Sequence, residues 1–164
     1  MKKTLQLIIA RGAALAFLCL LLAACASLAS RDGAPALAGV SFHLLAQPEQ
    51  QGALPSVDMD GKHLRVAPRV WIGGSSVVSV RKVIQQGNYK PAIILQLDAA
   101  GARRLAQLTG RNLGKQLAIL APNGQAVFVG EIQGAIDNGQ MMFSGMSLAR
   151  QQQIYQLLTG KVAP

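Results

Sequence analysis

PAIILQLDAAGARRLAQLTGRNLGKQLAILAPNG, residues 91–124, reads as a strand, a helix, a second strand and a turn in direct succession. The run 91–97 is short and apolar, and Pro91 at its start costs no interior ladder bond. Asp98 stands where a helix N-cap belongs, because its carboxylate can accept the free amides of the first turn. From there the spacing predicts a helix to about Gly114, with Ala102, Leu105, Ala106, Thr109 and Leu113 on one face. Arg104, Arg111 and Lys115 fall on the opposite face. Gly110 inside it costs ~1 kcal/mol relative to alanine, so packing rather than propensity must hold this helix. The next strand, 116–121, leads through Pro122-Asn123-Gly124 into "AVFVGEI" (126–132), a tight hairpin.

Strand signals also lie to either side. Upstream, "VVSVRKVIQQ" (77–86) pairs with 91–97 across "GNYK". "HLRVAPRVWI" alternates apolar residues at Leu64, Val66, Val70 and Ile72 and predicts one strand with a break at Pro68. "VSFHLLA" (40–46) predicts a first strand, and 47–62 reads as a polar loop. Downstream, the turn Asp137-Asn138-Gly139 precedes the strand "MMFSGM" (141–146). Ser147 caps a closing helix with Leu148, Ile154, Tyr155 and Leu158 on its apolar face, ended by Gly160. The expected class is α+β, an antiparallel sheet of about five or more strands with two helices packed on one face.

The first 24 residues carry a different message. Lys2, Lys3 and Arg11 precede an uncharged run from Gly12 to Ala24, the layout of a secretory signal. At 13 residues this run is short of the ~20 needed to span a bilayer. It ends in Leu22-Ala23-Ala24-Cys25, which resembles the lipobox of bacterial lipoproteins, where the cysteine is acylated and becomes the first mature residue. The expected organisation is a lipoprotein signal peptide at 1–24, a flexible Gly/Pro-containing tether at 25–39 from lipidated Cys25, and a domain at 40–164. Cys19 leaves with the signal, so Cys25 remains without a disulfide partner. Ala26 is not the aspartate that marks inner-membrane retention, which favours the periplasmic face of the outer membrane in a Gram-negative host.

Processing takes 16 basic residues to 13 against 7 acidic ones, leaving +6. Such a surplus suits an acidic partner, an anionic membrane face or simple solubility. Nucleic acid is a poor fit, because aromatics are only 4% of residues and stacking platforms need them. His43 and His63 sit inside predicted strands and read as ordinary hydrogen-bonding residues, with no nucleophile and third group beside them. "DMDGK" (58–62) lacks the closing glutamate of a calcium loop, and "GGSS" (73–76) lacks a P-loop lysine; both read as turns. No metal, cofactor or catalytic constellation is expected. Two readings are open for Arg104, Arg111 and Lys115: a partner-binding face, or a solvated helix surface.

The stretch 91–158 resembles the head subdomain of the first periplasmic domain of SecD and SecDF, accessory proteins of the bacterial Sec translocon. The signature is carried by Gly101-Ala102-Arg103-Arg104-Leu105, Leu108-Thr109, Asn112, Gly114 and Leu117-Ala118-Ile119, with Asn123-Gly124 at the family's hairpin turn. Phe143-Ser144-Gly145 and Ser147 match a segment before the family's last helix. The chain departs from the pattern at Phe128-Val129-Gly130-Glu131-Ile132, at Met146 and at Ala149-Arg150-Gln151, and nothing in it corresponds to the family's multispan membrane part. The resemblance implies a periplasmic fold rather than transport activity. It implies a non-catalytic module that binds polypeptide and is linked to protein export. An envelope structural or assembly factor with one fixed protein partner is the alternative expectation.

Overall fold

The computed structural model describes residues 37–160; the signal, Cys25 and most of the expected tether lie outside them. The class is α+β, as expected, but the strands divide among three antiparallel sheets instead of forming one. The first sheet has the order β4-β1-β7-β8, from Ile72–Gly73 (β4), Ser41–Leu44 (β1), Gln116–Leu120 (β7) and Ala126–Glu131 (β8). Leu54–Val57 (β2) and His63–Val66 (β3) form a separate hairpin. The third sheet has the order β5-β6-β9, from Val77–Ile84 (β5), Pro91–Leu97 (β6) and Gln140–Ser144 (β9).

The two helices are Ala99–Arg111 (α1) and Leu148–Thr159 (α2). Both caps follow the sequence. The Asp98 carboxylate accepts the Gly101 amide at 2.7 Å, and the Ser147 hydroxyl accepts the Arg150 amide at 3.1 Å. Gly160 closes α2 in the left-handed conformation, φ 66°, which glycine adopts without a Cβ penalty. α1 packs against β4 and β6, and α2 against β5 and β6. Leu105, Leu108, Ile154 and Leu158 from the helices join Ile93, Leu95 and Leu97 of β6 in one main core with Phe42, Ile72 and Ile119. Behind the first sheet, the β2–β3 hairpin places Val66 against Ala118, Leu120 and Ala126 in a smaller core. Leu37, assigned to the tether by sequence, is buried within the main core.

The buried stripe of α1 differs from the expected one. It runs through Gly101, Leu105, Leu108 and Thr109 and continues at Asn112, whose amide donates to the Leu108 carbonyl at 2.8 Å. Leu113 lies past the helix end and is exposed. Gly101 faces the core because a Cβ there would come within 2.9 Å of Ser76 Cβ and 3.1 Å of Leu97 Cβ. On α2, Leu148 is likewise exposed, and Gln151 is buried in its place.

The "DMDGK" segment is the β2–β3 turn. Asp58 Oδ1 accepts the amides of Lys62 and Asp60, both at 2.9 Å, and Gly61 supplies the positive φ of 82°. These backbone hydrogen bonds from Lys62 and then Asp60 hold the Asp58 carboxyl below the usual aspartate range. Because the folded pKa is depressed, the turn's support is present above the unfolded value and is lost as pH falls through the folded one. A side-chain carboxyl NMR titration is expected to put the Asp58 midpoint below that of an unstructured aspartate. An ordinary midpoint would show that the two amides do not hold the carboxylate in solution.

Candidate binding cleft between two strand edges

β8 and β9 are the edge strands of their sheets and are not paired with each other. A single bridge from Asp58 meets the start of β8 at Ala126, and the rest of β8 has no second strand beside it. Their side chains meet across the gap: the Phe128 and Phe143 rings stack with centroids 4.8 Å apart. Phe128 can lie as it does because residue 130 is glycine, where a Cβ would sit 2.5 Å from the ring tip. Two adjoining cavities open along this seam and share Phe128 and Met142. One, about 470 Å³, runs from Thr109 and Leu117 past Glu131 and the 132–138 loop to Met141. The other, about 720 Å³, runs from Met59 and Asp60 past Val129 and Met146 to Arg150.

Local contacts hold both ends of the cleft. Thr109, fully buried on α1, donates its hydroxyl to the Leu105 carbonyl at 2.8 Å and accepts the Ile136 amide at 2.9 Å, fixing the 132–138 loop. At the other end Arg150 donates to the Met59 carbonyl at 2.8 Å and pairs with Asp60, pinning the β2–β3 turn to the first turn of α2. Met59, Met141, Met142 and Met146 all line the cleft, so every methionine of the sequence except Met1 is there. Unbranched thioether chains adapt to irregular partners and suit a surface that accepts varied apolar shapes. Most positions that depart from the SecD signature also gather here: Phe128 to Ile132, Met146 and Arg150 line the cleft, whereas Ala149 and Gln151 do not.

Of the residues singled out by sequence, Cys25 is outside the described part of the chain. Arg104 and Arg111 lie exposed on the solvent side of α1. Lys115 lies beyond the helix end, where its Nζ donates to Asn112 Oδ1 at 3.0 Å. The three do not form one helix face, and none lines the cleft. His43 is buried, its Nδ1 2.8 Å from the Ala67 carbonyl and its Nε2 2.9 Å from the Ser41 hydroxyl. A carbonyl can only accept, so Nδ1 carries a proton and donates it to Ala67. Both ring nitrogens are thus engaged. Gly74–Ser76, within "GGSS", forms a short 3₁₀ turn. Among the described residues no group of three or more His, Cys, Asp or Glu side chains is placed to hold a metal. No helix there is long and apolar enough to cross a membrane.

Sequence reasoning read both strands of the cleft but missed the cleft itself, which arises only when two sheets meet. Its one linear trace is "MMFSGM", three of the five methionines within six residues.

Comparison with known proteins places this fold. Two solved structures superpose with TM-score 0.53 at 20% identity over 73% of this chain. One is described as a membrane component SecDF that enhances protein export, the other as SecDF in a super-membrane-facing form. This chain covers 61% of the first and 18% of the second. No curated protein matches the sequence. A family model described as the SecDF P1 head subdomain matches residues 49–160, which includes β2 to β9 and both helices. The chain belongs to the SecDF P1 head subdomain family.

Proposed function

We propose that this protein is a lipid-anchored periplasmic module that holds extended polypeptide in the cleft between β8 and β9, without catalysis, in the service of protein export. The cleft carries the reading. An open strand edge offers unpaired amides and carbonyls that an extended segment can complete, whatever its side chains. Here two such edges flank a seam of methionine and phenylalanine, which suits varied apolar side chains. Family membership supports the export context, since a solved relative is described as enhancing protein export. The lipobox at Cys25 supports the anchor, and with Ala26 it favours the periplasmic face of the outer membrane. The exposed Arg104 and Arg111 form a separate surface that would speed encounter with an acidic partner, joined by Lys115 at the helix end.

Met142 gives the test, being 52% exposed and shared by both halves of the cleft. Met142→Asp is expected to weaken binding of a permanently unfolded polypeptide at least about tenfold, since an unpaired carboxylate would be desolvated under the bound chain. The melting temperature should barely move, because the side chain is half in solvent. Unchanged affinity would overturn the reading. Capture of one stoichiometric envelope protein, with no affinity for unfolded chains, would make the domain an assembly factor instead.

A further inference from the structure

We infer that the cleft prefers extended segments carrying positive charge, an inference that rests on the polypeptide reading above. The chain as a whole is strongly cationic, with 16 lysines and arginines against 7 acidic residues. The cleft reverses that balance. Its walls hold three carboxylates, Asp60, Glu131 and Asp137, and one cation, Arg150, which is already paired with Asp60. Glu131 and Asp137 are exposed, and their carboxylates have no hydrogen bond or ion pair with any described residue. Both line the 470 Å³ half, beside the open edge of β8 and the start of β9.

A bound strand presents alternate side chains to opposite faces, so every second residue of a segment in the cleft can meet the Phe128–Met142 seam. A lysine or arginine between them takes the other face, where Glu131 lies three positions from Phe128 on β8, and its long stem lets the head reach a carboxylate. Main-chain pairing with a strand edge is indifferent to sequence. Two unpaired carboxylates at one end of the seam are not, and they raise both encounter rate and preference for cationic residues. The exposed Arg104 and Arg111 on α1 repel the same segment, leaving the cleft as its favourable place on this domain.

The test uses the full-length protein in a non-ionic detergent and three labelled peptides of about ten residues, a length that matches two short strand edges. All three alternate the same apolar residues with Lys, Gln or Glu. At low ionic strength the Lys peptide is expected to bind about fivefold to tenfold more tightly than the Glu peptide, the scale set by two exposed charge pairs. The gap should close at about 0.5 M salt, where exposed charges are screened. The double variant Glu131→Gln, Asp137→Asn is expected to bring the Lys and Glu peptides within about twofold of each other. If all three bind the unaltered protein equally, the charge preference is overturned while the polypeptide reading stands. If none binds, that reading falls and the preference with it.

Discussion

Wild-type protein is expected to take up a fatty-acid label and lose its first 24 residues, whereas Cys25→Ser does neither. The thiol is the only nucleophile the lipobox offers, and serine does not substitute for it. Each buried methylene contributes ~0.8 kcal/mol to membrane binding, so one acyl chain holds only marginally, while the set carried by a bacterial lipoprotein holds firmly. Loss of the lipid is therefore expected to be all-or-none in fractionation. The uncharged run of 13 residues left on the variant is too short to span the hydrocarbon. Replacing residues 1–25 by an ordinary cleavable signal should likewise move the domain to the soluble fraction. A Cys25→Ser protein that stays with the membrane at unchanged mass would show that the cysteine is not acylated.

The largest effect inside the domain is expected at Gly74. A Cβ at this position would run into the Leu37 carbonyl oxygen, and would come within 2.6 Å of its carbon and 3.0 Å of the Val40 amide nitrogen. These are backbone atoms, so no side chain can rotate away. Leu37 is also held in place, because its carbonyl accepts the Val40 amide at 3.0 Å and its side chain is in the main core. Gly74→Ala must therefore displace the start of the domain from the 3₁₀ turn. A loss of about 3 kcal/mol is expected, the upper end of the usual cost of overpacking. A domain of this size should melt about 10 °C lower. The neighbouring Gly73→Ala is the control, since its Cβ would meet only Ser75 Oγ at 4.0 Å. Equal melting temperatures for the two variants would mean that the segment around Leu37 is not packed as described.

Where local chemistry decides the structure, the sequence was legible. Asp98, Ser147 and Gly160 do what their positions predict, and the hairpins 77–97 and 116–131 pair as read. Where tertiary contacts decide, it was not. β2 was hidden in a stretch read as a loop, because Leu54-Pro55-Ser56-Val57 has neither an apolar run nor clean alternation. It exists because β3 pairs with it and Ser56 donates to the Gly124 carbonyl at 2.9 Å. The segment 63–72 was read as one strand broken at Pro68; it is two strands, β3 and β4, joined to different sheets. The α1 stripe was assigned to Leu113 because hydropathy cannot show that Asn112 satisfies its own amide on the helix and so becomes buriable. The cleft depends on two edge strands from different sheets facing each other, a relation with no linear period.

Gln151 shows what such a tertiary choice does to the motions of the domain. Its amide nitrogen donates to the carbonyls of Val83 and Ala92, at 2.8 and 2.7 Å, and these two residues face each other across the β5–β6 hairpin. One side chain on α2 thus closes over both strands at once. Lifting the helix strands two carbonyls, and fraying the hairpin leaves a buried amide without acceptors, so neither movement is cheap alone. Helix and hairpin are thereby fused into one cooperative unit of local opening, and their amides should exchange with solvent at a common free energy. The β8 and β9 edges meet instead through the Phe128–Phe143 ring stack, without hydrogen bonds between the two strands. The molecule thus sets a hydrogen-bonded block of α2 with β5 and β6 beside a seam joined by ring contact alone between its two strands.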